Sequence, residues 1–191
     1  MGPKFPEESY KFGIEENGSA EYVYGNIWAR EQTTGPQRLI IAPTRGQVDL
    51  LLRLSRSMPA PYWLLYVLLV SRIDSRPGRY QVPAPLKPEE VEHFLTRFSK
   101  FLEGDARHHL WIGSENSLDL LVYDNHNVIY AYGDLDRFEQ ILTSSGIQQV
   151  ESIPFPCPHS HNYHARFDKA EEDIMRFQDW RYFPLQYSDD L

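Results

Sequence analysis

Residues 61–70 read PYWLLYVLLV and form the longest apolar run of the chain. After Pro61 the run has two tyrosines, little polar alternation and no helix breaker, so its periodicity allows either a strand or a helix. It is about half as long as the roughly 20 residues that a membrane helix needs. Its length and its flanking prolines favour a central strand buried on both faces, and the fold is built outward from it.

Helical spacing of apolar residues predicts four helices around this strand. The clearest begins at Pro88, a proline suited to a first turn, and ends at Gly104. Asp168, with Glu171 three residues later, has the spacing of a capping box and starts the last helix. The four predicted segments are 44–58, 88–104, 134–145 and 168–180.

Short β-prone runs separated by turn residues predict the remaining strands. A hairpin is expected from 20–28 and 38–43, and a second one from 118–132, around the turn sequence DNH. Single strands are expected at 108–114 and 147–153, with a loop over the breaker-rich SRPGRYQVPAPLKP. The order predicts an α+β domain with a largely antiparallel sheet of about six strands and four helices packed mainly on one face. An irregular arm (1–19) and a polar tail (184–191) flank the domain (20–183).

The composition indicates a folded chain and limits the classes of partner that it can bind. The chain has 191 residues, 41% of them hydrophobic and 14% aromatic, which fits one domain. Its formal charge of -8 argues against nucleic acid and anionic membranes, which need a basic face, and favours a basic partner. A single cysteine and no signal-peptide pattern indicate a cytoplasmic protein. Phosphate-loop and G-x-S-x-G motifs are absent from the sequence.

Residues 154–168 read PFPCPHSHNYHARFD and contain the single cysteine and three of the seven histidines of the chain. His159 and His161 are two apart, so on an extended chain their side chains point the same way. His164 can supply a third ligand from a turn. Three histidines with an open water position would hold Zn²⁺ or another divalent transition metal and serve a hydrolase, with Glu115 or Asp168 as base.

Other interpretations of these residues stay open. The spacing differs from the H-x-H-x-D-H motif of metallo-β-lactamase-like hydrolases, because Tyr163 stands where that motif has aspartate. The rings could instead pack in an ordered loop, with Asp168 as the N-cap of the last helix. Asp134 and Asp136 are expected to cap a helix start, and His126 lies in the DNH turn, where turn chemistry accounts for it.

The leading functional hypothesis is a binding protein without catalysis or cofactor. An acidic and aromatic surface would engage a protein or peptide, such as the basic toxin or enzyme neutralised by an inhibitor or immunity protein. Tyrosines alternate in YVYGNIW and VIYAYG, and the residues predicted to bind are Tyr132, Tyr163 and His164. The metal-dependent hydrolase is the alternative, and a homodimer formed through a sheet edge or the tyrosine face is a third possibility.

Overall fold

The structure is a computed structural model that describes residues 9–15 and 19–190. Its main sheet has nine strands, more than the predicted six or so, in the order β10-β3-β4-β9-β8-β7-β5-β6-β12, and a smaller sheet has the order β11-β1-β2. All neighbouring pairs are antiparallel except β10 with β3. The strands are β1 (Phe12–Glu15), β2 (Ser19–Glu21), β3 (Ile27–Glu31), β4 (Arg38–Ala42), β5 (Tyr62–Leu68), β6 (Gly78–Gln81), β7 (His108–Ser114), β8 (Leu120–Tyr123), β9 (Ile129–Tyr132), β10 (Gln148–Gln149), β11 (His159–His161) and β12 (Arg181–Phe183).

The strand β5 lies inside the main sheet, as its apolar sequence predicts. It pairs with β7 along its whole length, from Tyr62 opposite Ser114 to Leu68 opposite His108. The prediction of burial on both faces holds only in part: Leu64 on one face and Val67 on the other are fully buried, whereas Trp63 is only partly buried. The helices cover the face that carries Leu64 and Tyr66, and both residues lie in the core with apolar side chains of α1 and α2.

The helices form a layer over one face of the main sheet, which confirms the predicted α+β class. They are α1 (Gln47–Ser57), α2 (Pro88–Gly104), α3 (Leu135–Ser144) and α4 (Asp168–Met175). Helix α1 packs against α2 and α3, and α2 contacts β5 and α4. The helix predicted from Pro88 to Gly104 has those bounds, whereas the last helix ends five residues earlier than predicted.

The smaller sheet covers part of the opposite face. Along β4, Leu39 and Ile41 enter the core under the helices, while Ile40 enters a second core with Phe12 of β1. Phe12 is fully buried there, so an irregular arm is wrong for residues 12–15. Residues 1–8 and 16–18 of that predicted arm lie outside the described part of the chain.

Several short strands depart from the sequence prediction. The predicted loop after β5 contains the strand β6, and the strand predicted at 147–153 is reduced to the two residues of β10. The polar tail forms a 3₁₀ turn in which the Asp189 carboxylate is buried 3.7 Å from the Arg79 guanidinium. Across 9–15 and 19–190, every helix is too short or too polar to cross a bilayer.

Candidate metal centre

The turn between β8 and β9 presents His126 on a rigid backbone. One carboxylate oxygen of Asp124 accepts hydrogen bonds from the backbone N–H groups of His126 (2.9 Å) and Val128 (3.0 Å). The other oxygen lies 2.9 Å from Nδ1 of the His126 ring. A carboxylate only accepts, so Nδ1 donates and Nε2 keeps its lone pair for another partner. A carboxylate behind a histidine is the usual support of a metal ligand.

The strand β11 contributes the other two rings. It pairs with β1 so that His161 lies opposite Phe12 and His159 opposite Ile14, which places both histidines on the inner face of the smaller sheet. Nδ1 of His159 lies 3.2 Å from the Pro156 carbonyl oxygen and donates to it. Its Nε2 therefore also keeps a lone pair.

These three rings converge, and we call His126, His159 and His161 the histidine cluster. The ring of His126 has its centroid 4.7 Å from that of His161 and 5.4 Å from that of His159. One nitrogen from each ring lies within 4.8 Å of the other two. Nitrogens on a tetrahedral zinc ion, bound at about 2.0–2.1 Å, lie about 3.3 Å from one another. The nitrogen–nitrogen distances of the cluster would therefore have to shorten by at most about 1.5 Å, which side-chain rotation can supply.

The surroundings of His161 keep its ring in the form that binds metal. Phe12 forms an apolar floor, with ring centroids 5.1, 5.3 and 5.8 Å from those of His126, His159 and His161. Burial, together with the two neighbouring imidazoles, lowers the pKa of His161 to about 4, so its ring is neutral at pH 7. Nε2 of His161 is buried and has no hydrogen-bond partner among the described residues. A bound metal ion would satisfy this nitrogen.

Asp124 remains a carboxylate in this position. Burial alone would raise its pKa, but the hydrogen bond from His126 and the nearby imidazoles outweigh burial and lower it. The cluster therefore has a buried negative charge directly behind one ligand. That charge strengthens His126 as an electron-pair donor to a cation.

No family model, no curated protein and no solved structure matches this chain. The chemistry of the cluster therefore follows from its donor set. Three imidazoles suit Zn²⁺, Cu²⁺, Ni²⁺ and Fe²⁺, whereas Mg²⁺ and Ca²⁺ prefer oxygen ligands. Three protein ligands leave a fourth position for water on a tetrahedral ion.

The position of His164 changes the predicted ligand set. His159 and His161 point to the same place, as their spacing predicts, but Nε2 of His164 lies 3.0 Å from the Tyr10 carbonyl oxygen. The backbone N–H of His164 donates to the Asp105 carboxylate at 2.7 Å. His126 takes the third place in the cluster, so the set His159, His161 and His164 is corrected at one position.

A buried arginine holds His164 and Asp168 away from the cluster. The guanidinium of Arg107 contacts the Asp105 carboxylate through Nε (2.8 Å) and Nη2 (3.0 Å), and it donates to the His164 carbonyl (3.0 Å). Its Nη1 lies 2.5 Å from Glu171 and 3.2 Å from Asp168. The predicted capping box is wrong, because Glu171 is fully buried on Arg107 and Asp168 is the first residue of α4 rather than its N-cap.

The other predicted residues lie elsewhere. Tyr132 accepts a hydrogen bond from Arg38 (2.9 Å) at the end of β9 farthest from the His126 turn. Tyr163 is 37% exposed and follows Asn162, whose carbonyl accepts from the Ala106 backbone N–H just before β7. Tyr163 and His164 therefore lie at the opposite end of the main sheet from Tyr132. Asp134 caps α3 as predicted, because its carboxylate accepts from the Arg137 backbone N–H (3.2 Å).

Asp136 and Glu115 do not have the roles that the sequence predicts for them. Asp136 does not cap the helix, and its carboxylate lies 3.0 Å from the Arg30 guanidinium. Glu115 follows β7 at the end opposite His108, and the His126 turn lies at the His108 end. Glu115 is therefore not placed to act as a base at the histidine cluster.

Proposed function

We propose that this protein binds one divalent transition metal ion, with Zn²⁺ as the preferred ion, through His126, His159 and His161. One observation carries the proposal: three ring nitrogens from two separate parts of the chain lie within 4.8 Å of one another. The rings of His126 and His159 are already oriented by the hydrogen bonds of their Nδ1 atoms. Such preorganisation lowers the entropic cost of assembling the site.

The geometry favours metal binding over hydrolysis as the function. A hydrolase would use the water on the fourth position together with a nearby base. Of the two suggested bases, Asp168 accepts from Arg72 (3.1 Å) and Arg107, and Glu115 is at the other end of the sheet. The ion would instead join the smaller sheet to the turn of the main sheet.

Metal analysis tests the proposal directly. We expect protein produced without a polyhistidine tag to bind about one equivalent of Zn²⁺ in calorimetric titration and to retain it on gel filtration. His159→Gln removes an exposed ligand and should weaken binding at least tenfold. His93→Gln is the matched control, since His93 is exposed on α2 outside the cluster. Equal binding by His159→Gln and the unaltered protein would contradict the site.

A second variant examines the support of the ligand. Asp124→Asn removes the charge behind His126, and loss of such a group typically weakens metal binding about 10–100-fold. Asp134→Asn is its control, because Asp134 caps α3 away from the cluster. An Asp124→Asn protein with unchanged zinc affinity would show that Asp124 only shapes the turn.

We also propose a cytoplasmic location. The support is the chain's single cysteine, Cys157, whose side chain is exposed and free. An exposed free thiol is stable in a reducing compartment. Cell fractionation followed by immunoblotting would test this, and recovery outside the cytoplasmic fraction would refute it.

A further inference from the structure

A groove of about 800 Å³ lies at the end of the main sheet opposite the histidine cluster. Its walls come from the connection between β3 and β4, the turn before β8, the end of β9 and the start of α3. We call it the α3 groove. Three segments of the chain shape it, residues 30–37, 118–120 and 132–136, so it is a property of the folded chain.

The floor of the α3 groove is apolar. Leu120 and Tyr132 are directly opposite each other on β8 and β9, and both are partly buried. Leu118 stands at the edge with 91% of its surface exposed, and Leu135 closes the floor from α3. An exposed leucine beside a partly buried tyrosine favours burial under a partner's apolar side chain.

The rim of the groove has an excess of negative charge. Its ion pairs join two guanidinium groups to four carboxylates: Arg30 with Asp136 and Glu139, and Arg137 with Asp119 and Asp134. Two negative charges are left over. They are accessible, because 84% of the Asp136 side chain and 54% of the Asp134 side chain are exposed.

The negative charge at the rim also determines which kind of partner the α3 groove can bind. A second copy of the chain would bring another net charge of -8 against an acidic rim, and like charges repel. A cationic segment is instead attracted both by the rim and by the field of the whole chain. Charge complementarity therefore favours a basic partner.

We propose that the α3 groove binds a basic peptide segment of a partner protein, with an apolar side chain flanked by lysine or arginine. The apolar side chain lies against Leu118, Leu120 and Tyr132, and the flanking cations lie at Asp134 and Asp136. The site is independent of metal binding at the histidine cluster.

Titration of the ¹⁵N-labelled protein with the peptide GKKLLKKG tests the proposal by NMR. We expect shifts at Leu118, Leu120 and Tyr132, and no shifts with GEELLEEG or GKKSSKKG. Leu118→Ala should weaken binding at least fivefold, and Asp136→Asn about threefold, with the second loss reduced by salt. The matched controls are Leu185→Ala and Glu89→Gln, which change an exposed leucine and an exposed carboxylate outside the groove.

Each other outcome overturns the proposal. Shifts confined to other surfaces, or the same shifts with the acidic peptide, would refute a basic partner in this groove. Shifts of Leu118 that depend on protein concentration without peptide would assign the groove to a second copy of the chain. If the groove and the metal site are separate, removal of the metal ion with a chelator leaves the NMR shifts caused by the peptide unchanged. Failure of the peptide proposal can therefore be told apart from failure of the metal proposal.

Discussion

Arg107 shows how one residue decides the course of the chain near the candidate metal site. Its guanidinium is fully buried and contacts Asp105 and Glu171, which are also fully buried. Burying three charges is tolerated only when each is paired and hydrogen-bonded. The arrangement fixes α4 and the backbone at His164 against the start of β7, which leaves β11 just upstream to present its two histidines.

His108 makes stability depend on pH. Burial lowers its pKa well below the ordinary value, so the folded protein keeps the ring neutral between Tyr66 and Phe101. Below about pH 6.5 the unfolded chain binds a proton that the folded chain excludes, so stability falls with falling pH. His108→Leu should reduce that slope by up to about 1.4 kcal/mol per pH unit between pH 6.5 and 5.

Urea denaturation at a series of pH values measures this slope. His93→Gln is the control for replacing a histidine, because the His93 side chain is exposed on α2. His109 and His161 also have lowered pKa values, so part of the acid sensitivity persists in the variant. A His108→Leu protein as acid-sensitive as the unaltered one would contradict the explanation.

At the scale of elements, successive side chains of β5 point to opposite faces of the main sheet, and the two faces differ in burial. Leu64 is fully buried under the helices, whereas its neighbour Leu65 points to the opposite face and is partly exposed. Leu64→Ala should cost about 3 kcal/mol of the free energy of unfolding, and Leu65→Ala about 1 kcal/mol. Chemical denaturation of the two variants measures the difference, and equal losses would contradict the difference in burial between the two leucines.

The sequence predicts long, periodic elements and misses short ones. The apolar face of α2 repeats from Val91 to Leu102, and the turn DNH marks the hairpin of β8 and β9, so both are predicted correctly. Strands β1 and β6 have four residues each, too few for a periodic signal. They exist because the sheets beside them offer unpaired backbone groups.

Two of the three histidines of the cluster could be predicted from the sequence, because their relation is local. Alternation along a strand is local, so His159 and His161 could be predicted to point the same way. His126 is more than 30 residues away and meets them only because the smaller sheet folds over the opposite face of the main sheet. The D-x-H spacing of Asp124 and His126 is the one local signal, and turn chemistry explains it equally well.

At the scale of the whole molecule, a bound ion would connect the two sheets. An ion that binds only the folded chain stabilises it by about 2.7 kcal/mol at 100 times its Kd. For a domain of this size we expect Tm to rise by about 5–10 °C with saturating Zn²⁺. Differential scanning calorimetry should show the rise, and EDTA should reverse it.

The cluster variant separates specific from general effects of zinc. His159→Gln should lose the rise in Tm, whereas His93→Gln should keep it. Zinc that raises the Tm of His159→Gln by the same amount must act at another place, and the connection between the sheets would then be rejected.

The ends of both sheets have a consequence for how the protein behaves at high concentration. The edge strands of the described sheets are β10, β12, β2 and β11, and each has two or three residues. Edges this short offer few free backbone groups for another molecule to add a strand, which is a common protection against cross-β aggregation. We expect the concentrated protein to resist fibril formation, even though its interior strands are rich in the residues from which amyloid is built.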